Sequence, residues 1–98
     1  MVVGVAKIEF FFPYCQSLKE KRQILKSLMA RTQNRHNISI AEVDFHDLWQ
    51  RSTVGISCVS REEHRVRQTL SRIEEALHGL DEAVVVSHQI TIYHPESG

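Results

Sequence analysis

Apolar residues in this chain change their spacing in a fixed order. They recur at every second position, then at every third and fourth, then in two further stretches at every second, then at every third and fourth, and finally at every second again. A period of two belongs to a strand with one buried face, and a period near 3.6 to a helix with one buried stripe. The order is therefore β-α-β-β-α-β. Along residues 2–12, Ala6, Ile8, Phe10 and Phe12 share one face and Val5, Lys7, Glu9 and Phe11 the other, and Pro13 ends the strand. Ser17, followed three residues later by Glu20, is a capping-box signature. The helix it opens runs to about Asn34, with Leu18, Ile24, Leu25, Leu28, Met29 and Thr32 on its buried arc and Asn37 helping to end it. Residues 38–45 form a second strand whose faces, Ile38 and Ile40 against Ala41 and Val43, leave open which is buried.

A loop over residues 46–51 holds the only tryptophan. Residues 53–59 form a third strand with Val54, Ile56 and Cys58 inward, and the short link makes an antiparallel hairpin. Ser60 and Glu63 repeat the capping signature, Val66, Leu70, Ile73 and Leu77 form one helical stripe, and Gly79 is a natural stop. Residues 83–93, rich in Val and Ile, are the last strand. Two amphipathic helices then cover one face of a four-stranded antiparallel sheet. This is the ferredoxin-like α+β arrangement, spanning residues 1–94 as a single domain and leaving 95–98 as a flexible tail. The other sheet face has no partner within the chain, and Val5, Phe11 and Val59, with Ile38 and Ile40 on one reading of the second strand, make it an interaction surface.

No apolar run approaches the roughly 18–20 residues that span a bilayer, and the N-terminus lacks a secretory-signal pattern, so a cytoplasmic location without membrane contact is expected. Cys15 and Cys58 match no CxxC motif. In a reducing compartment they read as a free loop thiol and a small apolar strand residue.

The formal net charge of zero conceals a sharp asymmetry. Residues 17–36 carry Lys19, Lys21, Arg22, Lys26, Arg31 and Arg35 against Glu20 alone, a balance of +5, and the rest of the chain balances at −5. Lys19, Arg22 and Lys26 form one stripe. Lys21 points toward the buried arc and is expected to snorkel or to pair with Glu42 or Asp44. Cations in the first turns of a helix oppose its dipole, and together with the backbone donors there they would make an anion site; the plainer reading is a solvated helix face. Trp49 beside Arg51 offers a stacking surface with a phosphate contact, unless the ring simply folds over a core edge.

Ser17-Leu18-Lys19-Glu20-Lys21-Arg22, Ala41-Glu42-Val43 and Asp47-Leu48-Trp49-Gln50-Arg51, with Val3-Gly4-Val5 and the strand into Val59-Ser60, resemble the ordered blocks of the uncharacterised bacterial YlxP-like family over about residues 2–92. The resemblance implies a ferredoxin-like fold and no established activity. It leans toward ribosome or RNA biology, because the family's genes often lie among those for translation initiation and ribosome maturation factors. Phe10-Phe11-Phe12 departs from the family's usual aliphatic strand.

The RNA-recognition motif shares this fold but needs aromatics on both central strands. Here the third strand presents Thr53, Gly55, Ser57 and Val59 outward, so binding in that mode is not expected. The six histidines, His36, His46, His64, His78, His88 and His94, show no ligand spacing, and neither a metal nor another cofactor is expected. Cys15 near a helix start could be an activated nucleophile, but no Cys-His-acid order accompanies it. The expectation is a non-enzymatic RNA- or ribosome-associated module using Lys19, Lys21, Arg22, Lys26, Trp49 and Arg51. The alternative is a homo-oligomerising interaction domain using the open sheet face.

Overall fold

The computed structural model describes residues 1–95, so the expected tail lies outside the described residues from 96 onward. Its elements are β1 (Val2–Phe11), α1 (Leu18–Arg35), β2 (Ser39–Asp44), β3 (Arg51–Ser60), α2 (Glu63–His78) and β4 (Val84–Tyr93). The sheet runs β2-β3-β1-β4 with every neighbouring pair antiparallel, and both helices pack on one face, a ferredoxin-like α+β fold.

The core follows from the two periodicities. Val2, Ala6, Ile8 and Phe10 of β1 and Val54, Ile56 and Cys58 of β3 are buried beneath Leu25 and Leu28 of α1 and Val66, Leu70, Ile73 and Leu77 of α2. Phe12, just past β1, is buried with Phe10, their ring centroids 6.1 Å apart. Thr32, on the buried arc of α1, donates its hydroxyl to the Leu28 carbonyl at 2.8 Å, so no unsatisfied polar group is left there.

Two expectations are corrected. Ser60 does not cap α2. The β1–β3 ladder extends through Val2↔Ser60, so the helix starts later, from Glu62, and Ser60 Oγ accepts only the Glu62 N–H at 3.3 Å. Strand pairing thus takes precedence over a local capping signature. Ile38 and Ile40 do not lie on the open sheet face. Both are partly buried against the core, and β2 turns Ile40 and Glu42 toward the helices. Cys15, outside any helix or strand, is a free thiol as the sequence suggests, and is 2% exposed.

Gly4 sets how closely α2 approaches the sheet. A Cβ at this position would overlap Val66 and lie 2.9 Å from Leu70 Cδ1, both on the buried stripe of the helix. Gly4→Ala should therefore destabilise the fold by about 1–3 kcal/mol through overpacking, seen as a lowered urea midpoint with an unchanged slope. A variant as stable as the parent would show that α2 can ride outward at no cost.

Candidate nucleic-acid interface on helix α1

Helix α1 presents two chemically opposite sides. At its start, Ser17 Oγ accepts the Glu20 N–H at 3.1 Å, and Glu20 Oε2 reaches back to the Gln16 N–H at 3.1 Å. The second arm lands one residue before the N-cap. The Glu20 N–H is thus taken by the Ser17 hydroxyl, and the Glu20 carboxylate, bound to the Gln16 N–H, puts a negative charge at the helix terminus that disfavours an anion there. The cationic side chains further along the outer face are the stronger candidates.

Those side chains are present. Lys19, Arg22 and Lys26 are exposed along the outer face, about 10 Å from first to last at 1.5 Å per residue. Among the described residues no carboxylate lies within 4.0 Å of any of the three. Arg31 and Arg35 are likewise exposed on the flank of the helix.

Lys21 leaves this set. It is 0% exposed, and its Nζ lies 3.0 Å from Glu42 Oε2, 2.9 Å from the Phe45 carbonyl, and 3.2 Å from the carbonyls of His46 and Arg51. Four acceptors surround three N–H donors, so one bond is shared and none is left for a ligand. Ser52 Oγ donates to the same Glu42 oxygen at 2.6 Å. The ammonium is thus a tie that gathers both ends of the β2–β3 loop.

Arg51 is also committed elsewhere. Its Nη2 lies 2.6 Å and its Nε 3.2 Å from Glu9 Oε2, and its Cζ stands 4.0 Å over the Phe45 ring. A guanidinium already matched to a carboxylate and an aromatic face adds little to a phosphate site. Trp49 does not belong to the core cluster. It is 44% exposed on the same loop, with Leu48 also exposed.

On the open sheet face the strand register arranges side chains in rows. Val59, Val3 and Tyr93 form one end, Ser57, Val5 and Thr91 the next row, Gly55, Lys7 and Gln89 the middle, Thr53, Glu9 and Ser87 the next, and Arg51, Phe11 and Val84 the far end. Val5, Phe11 and Val59 therefore share a face but stand in three different rows, divided by Lys7 and Glu9. Val43, the bulged residue of β2, lies over Gly55, whose missing Cβ leaves it room.

Burial raises the Cys15 thiol above its usual value, and Glu20 raises it further, with Lys21 opposing. Burial likewise raises Cys58, partly offset by the Gly4 backbone N–H. Both thiols are free, and neither is an activated nucleophile. Alkylation of the folded protein by iodoacetamide should be negligible near neutral pH, with Cys15 gaining reactivity only above the ordinary thiol value of 9.0; rapid labelling at neutral pH would contradict this burial.

Among the described residues no group of three or more His, Cys, Asp or Glu is arranged to hold a metal ion. No helix among the described residues is long and apolar enough to cross a membrane. Sequence reasoning missed the tie from Lys21 to three backbone carbonyls, since carbonyls carry no residue label.

The chain is a ferredoxin-like α+β domain. Residues 3–90 match the family described as "Protein of unknown function (DUF503)", and the chain belongs to that family. It is similar to the "Uncharacterized protein YlxP" of Bacillus subtilis (strain 168), 39% identical over 72 residues that cover 74% of this chain and 78% of the relative.

Proposed function

We propose that this domain is a non-enzymatic RNA-binding module, associated with the ribosome or its RNA, that grips phosphates with Lys19, Arg22 and Lys26. The supporting observation is the row itself: three exposed cations at helical spacing with no carboxylate in reach among the described residues. An ordinary solvated helix face distributes both signs and gains i,i+4 pairs, as α2 does with Glu63 and Arg67 at 2.9 Å. The row on α1 forgoes such pairs, sets Lys19 against the helix dipole and Arg22 against Lys26 at i,i+4, a local cost that an anionic partner would offset. Three phosphate contacts give a fall of log K with log salt of slope about −2 to −3. Co-sedimentation with ribosomal subunits, or anisotropy with a folded RNA, measured from low to high salt, tests this; binding that ignores salt would sink it.

A second reading, that a second copy covers the open sheet face, draws on Lys7 and Glu9 standing two apart on β1 between Val5 and Phe11. A two-fold axis crossing β1 at Ile8 would set Lys7 of each copy against Glu9 of the other, and Val5 against Phe11. Light scattering at rising concentration decides it, with a monomer throughout counting against the pairing.

A further inference from the structure

Between the second halves of α1 and α2 lies an open groove holding a cavity of about 100 Å³. Its two sides are built to one spacing. Leu28, Arg31, Thr32 and Arg35 stand at i, i+3, i+4 and i+7 on α1, and Ile73, Ala76, Leu77 and Leu80 repeat those intervals along α2 and just past its end. The α2 side is aliphatic throughout, and Leu28, Ile73 and Leu77 are buried. Facing helices ordinarily close on one another with interdigitated apolar side chains. Here Ala76 contributes only a methyl group, and α1 supplies two exposed arginines.

The charge in this groove is of one sign. Among the described residues no carboxylate lines it, and neither Arg31 nor Arg35 makes an ion pair. Glu82 lines an adjacent hollow with Arg31 without pairing to it. Like charges at i,i+4 repel, and no acid of the groove offsets that cost. Arg35 and His36 also line a second hollow, with Asn37, Ser60, Arg65 and Thr69, and it too has no carboxylate among the described residues. The Thr32 hydroxyl is already donated to the Leu28 carbonyl, so the lining gives a ligand's body no free hydroxyl donor.

Each of these features restricts the occupant. An aliphatic floor suits a hydrocarbon chain, whereas a nucleobase would leave its polar edge unpaired there. Two neighbouring guanidiniums suit a carboxylate, whose two oxygens match their forked donors. The volume suits a short chain, since a cavity of about 150 Å³ takes a benzene molecule. We infer that this groove binds a short-chain aliphatic carboxylate, its chain on Leu28, Ile73, Leu77 and Leu80 and its oxygens on Arg31 and Arg35. At 3.6 residues per turn the two arginines lie on a different side of α1 from Lys19, Arg22 and Lys26. The site is therefore independent of the RNA-binding reading.

The full chain, isotopically labelled, is titrated with butyrate, hexanoate and hexylamine while its amide NMR shifts are followed. Hexanoate should move the amides of residues 28–36 and 73–80 saturably. It should bind about fifteenfold more tightly than butyrate, roughly fourfold for each added methylene. Hexylamine, with the same chain and the opposite charge, should leave those amides in place. Arg31→Gln/Arg35→Gln should weaken hexanoate at least about tenfold, the worth of one charge-assisted bond, and keep the rest of the spectrum. Ala76→Leu fills the groove and keeps both arginines, so it should remove the preference for hexanoate over butyrate. Equal affinity for the two acids would overturn the inference, as would shifts from hexylamine as large as those from hexanoate. Failure of hexanoate to saturate at millimolar concentrations would overturn it too. Movement of the same amides with protein concentration alone would assign the groove to a second copy and reject the carboxylate.

Discussion

Replacing Lys21 by Met should cost about 3–5 kcal/mol of stability, the range for removing one partner of a buried ion pair. The variant would leave the Glu42 carboxylate and three carbonyls, of Phe45, His46 and Arg51, facing a site that no longer holds a donor. Removing an ammonium from water costs several kcal/mol, and in the parent protein four acceptors within 3.2 Å compensate for it. Met matches the aliphatic stem and restores none of these bonds. Set against a typical domain stability of about 5–15 kcal/mol, the loss is large, and urea unfolding will show it as a strongly lowered midpoint.

The double variant Lys21→Met/Glu42→Gln separates the two parts of that loss. Neutralising Glu42 removes the uncompensated charge and should recover part of the stability, but the three carbonyls remain without their donor, so the recovery is incomplete. The damage should also be local before it is global. Amide exchange should accelerate first at Leu48 and Phe12, whose N–H groups close the loop onto Phe45 and Gln50. A loss of less than about 1 kcal/mol on Lys21→Met, below the usual cost of even one unsatisfied buried group, would show that the tie does not hold the loop.

Lys21 also marks how far a sequence can be read. Its helical position, opposite Lys19, turns it inward, and the list of acids it could meet is short enough to include Glu42. The three carbonyls were not legible, because every residue carries one and only the folded loop says which converge. Strand order and the buried stripe of α2 were legible because their patterns are long and clean, with Val66, Leu70, Ile73 and Leu77 as its buried residues. β2 was not, because Ile40 and Glu42 share its inward face, and a carboxylate facing a helix layer makes sense only once Lys21 is there to meet it. Its bulge at Val43 depends on room over Gly55, a relation between two strands. Arg51 misled for a related reason. Its closeness in sequence to Trp49 suggested a pair, whereas the β1–β3 register delivers it to Glu9. Ser60 carried a valid local signal that the ladder from Val2 overrode.

Because Lys19, Arg22 and Lys26 make no ion pair among the described residues, their removal separates binding from folding. The triple variant Lys19→Gln/Arg22→Gln/Lys26→Gln keeps good helix formers at each position and deletes only charge. Its stability should match or slightly exceed the parent's, since Lys19 in the first turn opposes the helix dipole and Arg22 and Lys26 are like charges at i,i+4, and both costs are relieved. Its affinity for folded RNA should fall about a thousandfold at low salt, if each contact is worth about 1.4 kcal/mol, near the low end for a bond to a charged group. The salt slope should shrink by about 2 to 3, a little under one for each phosphate released. A uniform loss across RNA sequences is expected too, because phosphate contacts carry no base information. Lys21→Met under the same assay provides the contrast: where that variant is still folded, its salt slope should equal the parent's, because its ammonium never faces a phosphate. If the triple variant kept both its affinity and its slope, the cation row would be a solvated helix face and the anion-binding role of α1 would be wrong.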